Sequence, residues 1–433
     1  MKFLLDNCQS INRDLLPVQG LLLAPYIEVL REVTEMGQYV VPESSINLPS
    51  DSRVLQEVEA MVVKKVTPAP RYIFVIGIGG SNLGTKAIYD ALNAVPHAGR
   101  ELIFIDTVNA ALLQSAKIII SGLVTPNELL FISISKSGGT TETLANTEIL
   151  IELGFAKWGN AIKERLVVIT DEDSEYAVSA AARGVDVLTM PKVVGGRFSV
   201  FTAVGLFPLA ALGIPVAKLL EGASDIRTSC LNNDINFNPA AKSALVAYQA
   251  YQHGQIVHDT FVFNSELESL GKWYRQLLGE SIGKEVVGEG NTARVGIVPT
   301  VSVGSTDLHS VGQLYLGGPA RTVTTFVHSN SDEFTFTTPT ERLFGTLAPM
   351  ATGKSTSEIM TAILSGTKTA YNNQSLPFME ITLDGITPHE LGAFMQFKMI
   401  EMMYLGRLFG VDTFNQPAVE LYKVETKKLL ESN

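Results

Sequence analysis

Phe131-Ile-Ser-Ile-Ser-Lys-Ser-Gly-Gly-Thr-Thr-Glu-Thr143 is the stretch from which the rest of the chain is read. The apolar run Leu129 to Ile134 predicts a buried strand, and it breaks into Ser135, Lys136, Ser137, Gly138, Gly139, Thr140 and Thr141. From Glu142 to Leu153 the spacing turns helical, with Leu144, Ile149, Leu150 and Leu153 on or near one face. A strand feeding a helix through glycines and hydroxyls leaves backbone N–H groups unpaired at the positive end of a helix dipole. Phosphate fits such a turn, held by amides and short hydroxyls. A βα turn in which one Ser or Thr only caps its helix fits the same residues. Five hydroxyls between Ser135 and Thr143 are more than a cap needs.

A chain of 433 residues has room for two to three domains and a large core. With 46% hydrophobic and 18% charged residues it reads as globular, not disordered. The net charge of −11 and the lack of a densely basic stretch argue against nucleic acid or an anionic membrane surface as partner. A small anionic ligand stays open, because local amides bind phosphate even in an acidic protein. Cys8 and Cys230 lie far apart and form no metal or redox motif, which suits a reducing compartment. Met1-Lys-Phe-Leu-Leu-Asp6 lacks the apolar core of a signal peptide. No uncharged apolar run approaches the ~20 residues that span a bilayer. The expectation is a soluble cytoplasmic protein.

Short β-rich runs alternate with helical patterns along most of the chain. Residues 1–65 read as an amphipathic helical segment, ending in a helix from Asp51 to Lys65, and Pro68 and Pro70 mark a boundary. Within 66–194 the strands are Tyr72–Ile76, Leu102–Asp106, Leu129–Ile134, Leu166–Thr170 and Asp186–Met190. Residues 195–255 are helical and apolar. Residues 256–410 repeat the alternation, with strands Phe261–Asn264, Arg294–Val298, Thr322–Val327 and Phe378–Leu383. A last helix begins after Pro417, within 411–433. This order predicts an α/β protein of two doubly wound parallel-sheet units with flanking helices.

Several further turns carry residues suited to chemistry. Gly77-Ile-Gly-Gly-Ser-Asn-Leu-Gly84 follows the first strand and resembles a dinucleotide fingerprint, but its third glycine slot holds Asn82. The alternative use is a close ligand approach at glycine with Ser81 as donor, facing the same ligand as the Ser135 turn. Met350-Ala-Thr-Gly-Lys-Ser355 looks like the tail of a P-loop without its first glycine, so Thr352 and Ser355 read as helix caps. Val194-Gly-Gly-Arg-Phe-Ser199 sets Arg197 directly after two glycines, where its fork of donors can meet a ligand. In Lys272-Trp-Tyr-Arg-Gln-Leu-Leu-Gly-Glu-Ser-Ile-Gly-Lys284, Lys272, Gln276, Glu280 and Lys284 form one helical stripe. Gly279 and Gly283 suggest that something packs against that helix, which makes Glu280 a candidate general base.

Ser302-Val-Gly-Ser-Thr-Asp-Leu-His309 ends in a histidine expected in a first helical turn capped by Ser305 or Thr306, where the dipole favours a neutral imidazole. The other histidines show no zinc-ligand spacing. In Phe414-Asn-Gln-Pro-Ala-Val-Glu-Leu-Tyr-Lys423, Gln416 and Lys423 stand two helical turns apart and are expected on one face.

Apart from Met350–Ser355, the six segments quoted occur in the order found in glucose-6-phosphate isomerases, which the chain resembles from residue 72 to 423 at the length of the shorter bacterial form. The resemblance implies two sugar-isomerase (SIS) domains, an aldose–ketose conversion, no cofactor and no metal. It implies that Gly80, Ser81, Ser135, Ser137, Thr140 and Thr143 hold a phosphate, with Lys136 in the same turn. Glu280 moves a proton between C1 and C2, and Arg197 stabilises the enediolate. His309, supplied by the neighbouring subunit of a homodimer, and Lys423 assist ring opening; Gln276 and Gln416 position hydroxyls. Lys192 and Pro417 depart from the family pattern beside these positions.

Overall fold

The computed structural model describes residues 1–5, 10–92, 99–287, 292–331, 334–341, 343–344 and 347–432; Cys8 lies outside them. The first sheet contains β2 (Tyr72–Ile76), β3 (Glu101–Ile105), β4 (Leu129–Ile134), β5 (Leu166–Asp171) and β6 (Asp186–Met190), all parallel, in the order β3-β2-β4-β5-β6. These strands are apolar on both faces. Ile73, Val75, Leu130 and Ile132 enter one core, while Phe74, Ile76, Leu129 and Phe131 enter the other. Helices Leu83–Leu92 and Ala203–Leu212 belong to the first core, Ala110–Gly122 and Thr141–Trp158 to the second. The strand order reverses between β2 and β4, and outside the carboxyl ends of strands at such a point a crevice forms. Ile76 of β2 pairs with Ser133 of β4, so the two turns read as ligand loops leave the sheet side by side.

The second sheet runs β1-β12-β11-β7-β10, with β7 (Val257–Val262), β10 (Val298–Val303), β11 (Thr322–Ser329) and β12 (Phe378–Leu383) parallel. Its edge partner β1 (Lys2–Leu4) is antiparallel to β12. The first 65 residues therefore do not form a purely helical segment: they open with a strand of the second sheet. Three residues are too few for a periodic signal, and their pairing is decided by the edge of β12. The strand expected at Arg294–Val298 is divided. β8 (Lys284–Val287) and β9 (Thr292–Val295) form a small antiparallel ribbon, and β10 starts at Val298.

Helix Glu268–Ile282 crosses over from β7 to β10. It runs antiparallel to β10: a methyl added at Gly271 would lie 2.7 Å from Val301, and one at Gly279 would lie 3.6 Å from Pro299. Pro299, at the foot of β10, is what packs on Gly279. Gly283 ends the helix instead of lying inside it, so Lys284 belongs to β8 and the expected stripe stops at Glu280. Between the sheets, helices Val216–Cys230, Pro239–Gln252 and Pro388–Phe409 pack together. Gly222 lies against the His389 carbonyl and Gly392 against that of Leu219, a reciprocal contact only two glycines permit.

Candidate active site

Four segments meet where the first unit adjoins the second. The turn Gly79–Ser81 leaves β2, the turn Gly196–Phe198 follows β6, helix Glu268–Ile282 brings its last turn, and residues 412–416 close over them. Gly80 is the pivot. A Cβ there would stand 2.2 Å from the Gly196 carbonyl carbon and 2.7 Å from Arg197 N, so only glycine lets the two turns touch. Ser199 ties them, its hydroxyl donating to Gly196 O at 2.7 Å and to Gly80 O at 3.3 Å.

Arg197 is the best-secured side chain of the group, with 1% of it exposed. Its Nε donates to Ser281 Oγ at 2.9 Å; one terminal nitrogen donates to Glu280 Oε2 at 3.2 Å and Gln416 Oε1 at 2.9 Å. The other donates to the carbonyls of Thr413 and, at 3.2 Å, Asn415. Burial lowers the guanidinium pKa, and Glu280 opposes that shift. Glu280 takes its second hydrogen bond from Gln276 Nε2 at 2.9 Å on Oε1. Gln276 in turn stands 3.1 Å from where a Cβ on Gly79 would be, while its own Oε1 is buried without a partner among the described residues. Carboxylate, guanidinium and two amides thus form one line from the first unit's glycine turn to Gln416.

The Ser135 turn sits next to this line. Ser135 Oγ donates to Thr140 Oγ1 at 3.0 Å, Gly139 N donates to Ser137 Oγ at 3.3 Å, and Gly138 adopts φ 71°. Thr140 precedes helix Thr141–Trp158 without capping it through its side chain. The reading in which these hydroxyls serve only as caps is therefore not what the turn shows. Thr143 is buried, and its hydroxyl has no partner among the described residues. Ser81 and Lys136 are half-buried and Ser137 is exposed. Burial lowers the Lys136 pKa; Asp171 opposes this, and the charges of Arg197 and Lys192 add to it. Lys192, one of the two departures, therefore contributes a further cation at this edge.

Two candidates stand apart. His309 is exposed and closes a 3-10 turn, Thr306–Leu308, while the next helix starts only at Gly312. It does not lie in a first helical turn, and neither Ser305 nor Thr306 caps one through its side chain. Helix Val419–Glu431 begins after Gln416, so Gln416 and Lys423 do not share a helical face. Lys423 pairs with Glu420 at 2.7 Å on a helix with no buried residue. Ser281, Asn415 and Lys284 also join the site; each lies within a segment quoted above, Lys284 at the end of the expected stripe, but none is assigned a role there. Their signal is adjacency, since each lies within four positions of a candidate. A cavity of about 750 Å³ opens elsewhere, at the carboxyl ends of the second sheet, lined by Phe263, Ser305, Thr306, His328 and Thr356. None of the candidate residues lines it.

A family model described as phosphoglucose isomerase matches residues 30–433. The chain belongs to the phosphoglucose isomerase family. A glucose-6-phosphate isomerase from Methanocaldococcus jannaschii is 35% identical over 357 residues, covering 82% of each chain. Among solved structures, a hypothetical protein from Thermus thermophilus superposes with a TM-score of 0.87 at 28% identity, over 99% of both chains. A glucose-6-phosphate isomerase from Chlamydia trachomatis shares the fold, with a TM-score of 0.81 at 20% identity, over 97% of this chain and 86% of that one. Within the phosphoglucose isomerase family fold, the line Gln276–Glu280–Arg197–Gln416 is what this chain places at the junction of its two sheets. No helix among the described residues is long and apolar enough to cross a membrane.

Proposed function

We propose that the chain interconverts D-glucose 6-phosphate and D-fructose 6-phosphate by proton transfer through a cis-enediol. The observation that carries this reading is Glu280 held between Arg197 and Gln276, against the glycine turn of the first unit. Glu280 removes the proton from C2 of the open-chain aldose and returns it to C1. The electron pair left by that proton moves onto O1 as the cis-enediolate, and a proton passes from O2 to O1. The positive charge of the Arg197 guanidinium stabilises the enediolate through its field, since its N–H groups are held by Ser281, Glu280, Gln416, Thr413 and Asn415. A site fixed in advance around charge that develops only in the transition state raises turnover more than affinity.

The phosphate goes to Ser81, Ser135, Lys136, Ser137, Thr140 and Thr143, and Gly80 contributes the close fit of two turns. Gln276 and Gln416 orient the sugar hydroxyls. Lys423 and His309 assist ring opening, with His309 reaching the site from the other subunit of a homodimer. The opposite placement of Glu280 and His309 along β10 supports that reading. The enzyme works in the cytoplasm, where its phosphorylated substrate is retained.

Coupled assays on purified protein with glucose, mannose and glucosamine 6-phosphates test this. Fast turnover of glucose 6-phosphate alone is expected. Comparable turnover of mannose 6-phosphate makes the chain a dual isomerase, and binding without any turnover makes it a sensor.

A further inference from the structure

Lys284 lies outside every role assigned so far, yet it touches the segment that aims Arg197. Its Nζ donates to the Asn415 carbonyl and, at 3.0 Å, to Asn415 Oδ1. The same carbonyl accepts from Arg197 at 3.2 Å, and the next residue, Gln416, accepts from the other Arg197 nitrogen. The segment is also braced by Asp412, which accepts from Phe414 N at 2.9 Å and from Asn415 Nδ2 at 2.7 Å. We propose that Lys284 is a positioning residue for the isomerisation: through Asn415 it fixes residues 412–416, and so the place of the Arg197 fork beside Glu280. This rests on the function proposed above.

Two cations on one carbonyl repel each other, and a fold keeps such a pair only where both are held by other contacts. Both conditions are met here. Arg197 is anchored by Ser281 and Thr413, and Lys284 has the Asn415 side chain. The groups that face Lys284 are Arg197 from its turn, Glu280 from the preceding helix and Asp412 from the closing segment. On its own ribbon, Glu285 is paired to Arg294 at 3.0 Å. Burial first and Arg197 second pull the Lys284 pKa down to about 8, against Asp412 and Glu280. As pH rises through that value the amine loses its charge, its bonds to Asn415 become neutral ones, and the brace weakens. Turnover then falls while phosphate binding, on other turns, does not.

The test is kcat and KM between pH 6.5 and 10 for wild type, Lys284→Met and Lys284→Arg. Wild type is expected to lose kcat along an alkaline limb near pH 8, with KM nearly unchanged. Lys284→Met should lose about ten-fold in kcat at pH 7, less than the roughly hundred-fold of a fully misplaced group because Asp412 still braces the segment, and show no limb near 8. Lys284→Arg, which keeps its charge, should restore most of kcat at pH 7 and move the limb at least one pH unit higher. A limb near 8 that survives in Lys284→Met, or an unchanged kcat at pH 7, overturns the proposal and leaves the isomerase reading standing. Equal losses in the Met and Arg variants also overturn it, because they report shape and not charge. Absence of wild-type turnover would overturn both.

Discussion

Glu280 and His309 lie beyond opposite ends of one strand. Gly279, next to Glu280, packs on Pro299 at the foot of β10, whereas His309 follows the head of that strand by six residues. A six-residue parallel strand spans about 16 Å, longer than a hexose reaches from its ring oxygen to C2. That separation is what the proposal of a second copy supplying His309 rests on.

Subunit mixing follows directly. Glu280→Gln and His309→Asn homodimers should each be nearly inactive. After co-refolding, random pairing gives about half mixed dimers, each with one intact site, so about a quarter of wild-type activity should return. Activity that stays at the level of the parents would place both residues in one subunit's site.

The contact of Gly80 with Gly196 predicts a sharp effect from one methyl group. Gly80→Ala must push the Arg197 turn outward, since 2.2 Å to a backbone carbon cannot be absorbed by a side-chain rotation. Turnover should fall by about a hundred-fold and the melting temperature by a few degrees, the cost of about 1–3 kcal/mol of overpacking. A variant with wild-type kcat would mean that the turns need not touch.

Lys398 and Glu401 form an ion pair that is fully buried on helix Pro388–Phe409. Glu401 also accepts from Ser243 and Tyr274, and the ammonium sits 4.4 Å from the Tyr274 ring centre. Lys398→Met leaves a buried carboxylate without its cation and should cost about 3–5 kcal/mol, read from urea unfolding. Adding Glu401→Gln should recover more than half of that. A loss below about 1 kcal/mol in the single variant would show that the hydroxyls alone satisfy Glu401.

Asp259, buried in β7, gives a pH-dependent case. Burial raises its pKa to about 6, although Thr300 and Ser302 donate to it at 2.7 and 3.0 Å. The folded state thus holds this proton more tightly than the unfolded chain, so stability falls as pH rises from about 4 to 6 and stays reduced above. Asp259→Asn keeps the acceptor and removes the charge. Its melting temperature should exceed wild type at pH 7.5 and not at pH 4. An equal shift at both values would contradict this.

Much of the frame was legible because its strands are buried on both faces. Tyr72–Ile76, Leu129–Ile134, Asp186–Met190 and Phe378–Leu383 occupy their expected bounds, each an apolar or β-branched run ended by turn residues. The hydroxyl turns and the Arg197, Gln276 and Glu280 set were legible as motifs, since each kept its residue types within a few positions. What escaped depends on contacts distant in sequence. β1 is defined by its register with β12, and Lys284 left the helix because Gly283 ends it close against Gly296, where an added Cβ would stand 3.1 Å from Gly283 Cα. Lys423 sits two turns from Gln416 only if the helix includes both, and it does not.

Exchange of the C2 proton of glucose 6-phosphate with deuterium oxide, followed by proton NMR in wild type and Glu280→Gln, bears most directly on the role of the carboxylate. Wild type should exchange C2 and form fructose 6-phosphate. The variant should bind the sugar phosphate with similar affinity, yet neither exchange nor isomerise at more than about a thousandth of that rate. Exchange at the wild-type rate in Glu280→Gln would show that another group takes the proton.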